Sequence, residues 1–341
     1  MTANGSDPRV EAFARRRFGE TARVVPLEGD ASDRRFFRLM APGLSSLILM
    51  VHAEPFDLDA LPFFLHARFL HEIGAPVPQI VASYPSDGIL VVQDLGDDTM
   101  QKHLDRCDAA RRRFLYLQAV QVIASLQRDG MRALTPDLPA ANTALDAQRL
   151  LWELEFFRTH YIEGLLGAPL TSAQNDELTR WFDVLAKEVA GYRSVLCHRD
   201  YHSRNLMVKG DRLYMVDFQD ARRGPYTYDL ASLLRDSYVR LPEDLVEEMM
   251  RFFREAAPDG GSEQEFRRAF ARTCLQRNIK AVGTFASQAM VRGNRGYLRY
   301  IPPTLDSVRA RLDERIGDAD AEIIRSLFDG PLAFAGEAAS A

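Results

Sequence analysis

The residues best suited to do chemistry lie in one stretch. The apolar run Val195-Leu196-Cys197 ends on His198-Arg199-Asp200-Tyr201-His202-Ser203-Arg204-Asn205, with the spacing H-x-D-x-x-x-x-N. Twelve residues past Asn205 comes Asp217-Phe218, and between them lie two further apolar runs joined by a turn at Lys209-Gly210-Asp211. A carboxylate and a carboxamide on one loop, with a second carboxylate brought back by a hairpin, suit phosphoryl transfer. That reaction needs little covalent help; it needs positioning and neutralisation of charge. Asp200 is placed to accept the proton of an attacking hydroxyl. Asn205 and Asp217 are hard oxygen ligands suited to Mg²⁺ ions that bridge the phosphates of ATP. His198 reads as structural, tying the loop down from beneath. The competing reading is a surface turn with an incidental Asp and Asn. The flanking apolar strands and the V-D-F at this distance argue against it.

The elements around this stretch fall into two regions. Residues 8–18 start at a proline and carry Val10, Phe13, Ala14 and Phe18 at helical spacing. A β-rich region follows: Val24–Leu27, a turn at Gly29–Asp33, a strand over Arg34–Leu39, a turn at Pro42-Gly43 and an apolar strand over Ser46–Val51. Leu61–Ile73 reads as a helix stopped at Gly74, and Val77–Tyr84 with Ile89–Gln93 flanks a hairpin signal at Pro85–Gly88. From Asp97 the pattern changes to long helices, among them Ala109–Gln127, Ala147–Leu166 and Thr171–Tyr192. On the second of these, Glu153 and Glu155 read as solvated helix carboxylates. The fold class expected is α+β.

Composition narrows the partners. The 341 residues carry a net charge of −5 and are 46% hydrophobic, as in an ordinary globular chain and unlike a nucleic-acid binder. Cys107, Cys197 and Cys274 are too few and too far apart for a disulfide framework or a zinc site. Neither a signal peptide nor a membrane-spanning run is found, so a cytoplasmic protein with no membrane and no nucleic-acid partner is expected.

These motifs resemble the aminoglycoside phosphotransferase and choline kinase superfamily, which is related in structure and mechanism to protein kinases. The resemblance implies a bilobal protein-kinase-like fold. A small β-rich N-terminal nucleotide-binding lobe would cover residues 1–96, and a large helical C-terminal lobe, catalytic and substrate-binding, residues 97–341. Gly224-Pro225-Tyr226-Thr227-Tyr228-Asp229-Leu230-Ala231 is similar to the superfamily's G-x-x-x-x-D-L-A segment, which implies that Asp229 buttresses the catalytic loop. Gly29-Asp30-Ala31-Ser32-Asp33-Arg34-Arg35-Phe36-Phe37-Arg38 resembles its nucleotide-covering hairpin. The resemblance implies phosphate approach at Gly29, Asp30 and Ser32 and charge neutralisation by Arg34, Arg35 and Arg38. Strand alternation puts Arg34 and Arg38 on one face and Arg35 on the other. Val91–Gly96 resembles the family's strand and hinge, which implies adenine contacts at Gln93 and Leu95. One departure stands out. Met50 occupies the place of the family's phosphate-pairing lysine, and Phe63 or Phe64 that of its helix glutamate. The expectation is that hairpin arginines supply the missing charge.

The hairpin, the strand ending Ile48-Leu49-Met50, and the blocks Gln276–Ala286 and Gly296–Leu305 are together similar to bacterial N-acetylmuramate/N-acetylglucosamine anomeric kinases of peptidoglycan recycling. This implies an ATP- and Mg²⁺-dependent transfer to the anomeric hydroxyl of an amino sugar, by a monomer or weak dimer. His202, Arg277 and Lys280 are the expected substrate contacts. Two alternatives stay open: a kinase of an aminoglycoside, choline or other amino alcohol, and a nucleotide-binding pseudokinase. The Arg277/Lys280 pair favours an anionic or neutral sugar over a polycation.

Overall fold

The structure is a computed structural model and describes residues 7–27, 34–167, 170–257, 261–313 and 321–334. Its strands in chain order are β1 (Arg23–Leu27), β2 (Arg35–Met40), β3 (Leu47–Val51), β4 (Ile80–Tyr84), β5 (Ile89–Gln93), β6 (Ser194–Cys197), β7 (Leu206–Lys209), β8 (Arg212–Met215) and β9 (Arg222–Pro225). The helices are α1 (Pro8–Phe18), α2 (Pro62–Glu72), α3 (Met100–Leu104), α4 (Ala109–Ala133), α5 (Pro139–Asn142), α6 (Ala147–Phe157), α7 (Ser172–Ala190), α8 (Tyr228–Leu234), α9 (Glu243–Ala256), α10 (Glu263–Met290), α11 (Ile301–Asp313) and α12 (Ala321–Asp329). The chain divides into two compact units, Met1–Met100 with Leu206–Gln219, and Gln101–Asn205 with Asp220–Ala341.

The first unit is built on an antiparallel five-stranded sheet in the order β1-β2-β3-β5-β4. One face is closed by α1. Asp7 caps that helix by accepting from the Arg9 and Val10 amides, and Pro8 starts it with its fixed φ. Val10, Phe13 and Ala14 then bury against Phe37, Leu39, Leu49, Val51, Ile89 and Val91. Alternation sends Phe36, Ile48, Met50 and Val92 to the other face. The hairpin β7–β8 turns at Gly210, whose φ of 62° suits glycine, and belongs to this unit through long-range bonds. The Val208 amide donates to the Asp98 carbonyl at 2.8 Å, the Met215 amide to the Pro76 carbonyl at 2.7 Å, and Lys209 Nζ to the Asp94 carbonyl at 2.7 Å.

The second unit is helical apart from the antiparallel pair β6–β9. Its axis is α10, 28 residues started by a Ser262/Glu265 capping box and buried over most of its length. Gly283 lets this helix meet α6 closely, since a Cβ there would lie 2.6 Å from Phe157 Cα. After Phe157 the chain continues as a wider π-helical turn over Arg158–Leu166 and stops at Gly167, φ 56°. The helix expected over 147–166 is thus two pieces.

Candidate active site

The first unit contains a cavity of about 320 Å³. Leu27, Ile48, Val92 and Met207 give it apolar walls, and Gln93–Gly96 forms one edge. Arg34 and Asp217 sit on it 3.9 Å apart, and Gln219 Nε2 donates to Asp217 Oδ1 at 2.8 Å. The walls are apolar, and the Arg34/Asp217 pair is polar. Met50 lines the same cavity, and Phe63 stacks on Phe218 with ring centroids 4.9 Å apart. Met50 and Phe63, at the positions of the family's lysine and glutamate, are thus both apolar wall residues of this cavity.

The structure brings some of the expected residues to this cavity and leaves others away from it. Arg34, Gln93 and Leu95 line it. Arg35 does not: it lies on the opposite face of β2, bound to the helix-capping Asp7, with its guanidinium 5.6 Å from the Phe37 ring. Arg38 is spent on the hinge, donating to Asp94 at 2.6 Å and to Asp97 at 2.9 Å. Burial would raise the Asp94 carboxyl, but Arg38 and the Gly96 amide hold it below its ordinary value. Gly29, Asp30 and Ser32 lie outside the described residues.

In the second unit, β6 leads into the loop of residues 198–205, and Asp229, at the start of α8, anchors it. Asp229 is fully buried and accepts from the amides of His198 at 2.7 Å and Arg199 at 2.9 Å. Arg199 has φ 81° and Asp217 φ 63°, the two non-glycine residues in this region among those described. Such strain persists only where surrounding bonds impose it, and at Arg199 the Asp229 carboxylate does so. His198 is buried with its ring edge-on to Tyr201 at 5.6 Å. Asn205 Nδ2 donates to the Asp200 carbonyl at 3.0 Å.

Asp200, His202, Arg277 and Lys280 meet at one cavity of about 230 Å³, with Arg199, Ser237, Tyr238 and Phe285 in its wall. Lys280 Nζ donates to Asp200 Oδ1 at 3.2 Å. Burial alone would raise the Asp200 carboxyl; Lys280 first, then Arg199, His202 and Arg277, override it and hold it far below the usual carboxylate range. Burial also pushes His202 down to about 4, so its ring is neutral at pH 7. The fixed cations of this cavity are Arg199, Arg277 and Lys280. Arg277 is itself buried and bound to Ser232 Oγ.

A family model described as the phosphotransferase enzyme family matches residues 23–266. The chain belongs to that family. Its relatives include the N-acetylmuramate/N-acetylglucosamine kinase of Pseudomonas aeruginosa, 32% identical over 302 residues, which cover 86% of this chain and 85% of that one. The protein of the same name from Neisseria meningitidis is 29% identical over 312 residues, covering 86% and 90%. Among solved structures, choline kinase from Cryptosporidium parvum matches with a TM-score of 0.64 at 11% identity, across 92% of this chain and 99% of that one. Likeness at that identity speaks for the fold, which is the α+β protein-kinase-like one expected.

Several residues of this phosphotransferase's site escaped the sequence reading. Asp236 accepts from both the amide and the hydroxyl of Ser203, at 2.9 and 2.6 Å, and so holds the middle of the 198–205 loop. Arg204 clamps its end: Nε donates to Gln101 at 2.9 Å and a terminal nitrogen to the Tyr300 hydroxyl at 2.7 Å. The same guanidinium lies 3.8 Å from the Tyr238 ring centroid, 5.0 Å from Tyr300 and 5.6 Å from Tyr297. Glu153 is no solvated carboxylate: it is 1% exposed, takes a bond from Gln276 at 3.1 Å, and stands 3.7 Å from Arg199. Glu155 does pair at the surface, with Arg158 at 2.7 Å. The partners of Ser203, Arg204 and Glu153 lie 33 to 123 residues away, which leaves no local spacing to detect.

Proposed function

We propose that this phosphotransferase is an ATP-dependent sugar kinase acting on the anomeric hydroxyl of N-acetylmuramate or N-acetylglucosamine, with Asp200 as the base. The observation that carries the choice of acceptor is the charge of the cavity around Asp200. Arg199, Arg277 and Lys280 line it, and they disfavour a polycationic aminoglycoside. Choline fares no better: an aromatic cage suited to a quaternary ammonium is present at Tyr238, Tyr297 and Tyr300, but Arg204 of the same chain fills it. The names of the relatives at about 30% identity point to the same acceptor.

In the proposed reaction the sugar O1 attacks the γ-phosphorus as the bond to the β-phosphate oxygen breaks and ADP leaves. The hydroxyl proton passes to Asp200, and from there to solvent. A carboxylate held so strongly ionised is a weak base. It suffices where the transition state is loose and the hydroxyl becomes acidic only late. Adenine would lie between the apolar walls of the first unit's cavity, with the Gln93 carbonyl at its edge, since the Gln93 amide already donates to Gln79. Arg34 would face the phosphates. Asn205, whose Nδ2 is used on the Asp200 carbonyl and leaves the amide oxygen as its acceptor, and Asp217, half exposed, have the hard oxygens that would hold Mg²⁺. That ion would supply neutralisation of the triphosphate charge. Lys280 and Arg277 keep Asp200 ionised and are placed to take up charge on the acceptor side.

The test is an acceptor panel of N-acetylmuramate, N-acetylglucosamine, choline and an aminoglycoside, assayed for ATP-dependent ADP release. Turnover with the two amino sugars alone is expected. Turnover with choline or the aminoglycoside in their place would refute the acceptor assignment, and none with any acceptor would favour a pseudokinase.

A further inference from the structure

A second cavity, of about 370 Å³, adjoins the acceptor cavity within the helical unit, and the two share the turn Asp236-Ser237-Tyr238. Its acidic groups are committed. Glu243 takes two bonds from Arg235, both at 2.7 Å; Asp306 pairs with Arg309 at 3.0 Å; Asp236 holds Ser203 and the Tyr238 amide. Two of its basic groups are not. Arg240 and Arg299 line the cavity, and among the described residues neither has a hydrogen bond or a carboxylate within ion-pair distance; Arg240 acts on Glu243 only through its field, after Arg235 and Arg311. Arg299 lies over the Tyr300 ring, 5.1 Å from its centroid, which orients it without neutralising it. On the shared turn, the Ser237 hydroxyl is buried with no protein partner among the described residues.

We infer that the second cavity takes a carboxylate carried by the acceptor, gripped by Arg240 and Arg299, while the sugar ring occupies the cavity of Asp200 across the shared turn. The inference rests on the amino-sugar reading above and adds to it a built site for one kind of acceptor. A guanidinium fork matches a carboxylate in shape as well as charge, and a lysine or a neutral donor would not. An acceptor without the carboxylate still finds the ring site but forgoes these bonds. The arginine pair would therefore set a preference between acceptors and leave the chemistry at O1 alone.

The experiment compares the double variant Arg240→Gln/Arg299→Gln with the native chain, using N-acetylmuramate, which bears a carboxylate, and N-acetylglucosamine, which does not. The ratio of their kcat/KM values is expected to shift against N-acetylmuramate by about tenfold or more, as fits the loss of charge-assisted bonds. An unshifted ratio would overturn the inference. If the native chain phosphorylates neither sugar, the amino-sugar reading has failed, and calorimetric binding of N-acetylmuramate then decides the site. Binding by the native chain that the double variant loses would uphold it. No binding, or equal binding, would overturn it.

Discussion

Arg204 offers the sharpest test of how the catalytic loop is held. It precedes Asn205 directly, and its guanidinium makes two hydrogen bonds and stands over three tyrosine rings. Arg204→Met removes all of these and keeps much of the side-chain volume. Each bond to a charged donor contributes about 1.5–3 kcal/mol, and the ring contacts roughly 0.5–1 kcal/mol each. After partial repacking, a net loss of about 3–5 kcal/mol is expected, comparable with breaking other buried charged networks. At roughly 2–4 °C per kcal/mol for a unit of this size, calorimetry should show a large fall in the melting of the helical unit. Arg204→Lys keeps the charge but cannot reach Gln101 and Tyr300 together, so it should recover less than half of the loss. Because a displacement of about 1 Å in a reacting group costs on the order of 10²-fold, kcat should fall by that factor in Arg204→Met, measured well below its melting temperature. Both variants melting and turning over like the native chain would refute the clamp. A melting loss with full turnover would make Arg204 a packing residue only.

Three further outcomes are expected. Arg34→Met should weaken kcat/KM for ATP by roughly 10- to 150-fold, the value of one charge-assisted phosphate bond; Arg35→Met, on the opposite face of β2, should leave it within about twofold and loosen the α1 cap instead, as separate ATP titrations and melts would show. Asp229→Asn puts an amide N–H₂ opposite one of two backbone donors, so it should cost about 1–3 kcal/mol of stability and on the order of 10² in kcat, read by chemical denaturation and steady-state rates. Burial tends to raise Glu188, but Arg268, Arg272 and Tyr192 hold its carboxyl below the ordinary value, and Arg272 is 2% exposed. A depressed carboxyl contributes stability that is present above its unfolded value and lost as pH falls through its folded one. Glu188→Gln should accordingly destabilise by about 1–2 kcal/mol at pH 7, since solvent screens the half-exposed Arg268, with the gap to the native chain closing below roughly pH 4; a gap independent of pH in urea melts would contradict this.

How much of this was legible in the sequence depended on the range of the interaction. The loop residues Asp200 and His202 were found by spacing, and Arg277 and Lys280 by resemblance; all four line one cavity because β6 and α10 deliver them there. Strand alternation was enough to divide Arg34 from Arg35, since period two is a property of the backbone. It was not enough for Arg38, whose partners Asp94 and Asp97 lie on the hinge some 56–59 residues on. The same holds for Arg204 with Tyr300, Ser203 with Asp236 and Glu153 with Gln276: each is a pairing of distant segments, fixed by packing and unmarked by local pattern. The hairpin β7–β8 is the largest case. Sequence continuity with the catalytic loop suggested one region for both, yet backbone bonds to Pro76 and Asp98 bind the hairpin to the first unit.

The proposed transfer to an anomeric oxygen, with Asp200 as base, can be read from the products themselves. The native chain and Asp200→Asn are each incubated with N-acetylglucosamine, ATP and Mg²⁺, and the products read by phosphorus and proton NMR. With the native chain, a product whose anomeric proton is split by phosphorus is expected. With Asp200→Asn its rate of formation should fall roughly 10²-fold or more, as for loss of a positioned base. Phosphate on any other hydroxyl, or undiminished transfer by Asp200→Asn, would contradict the account.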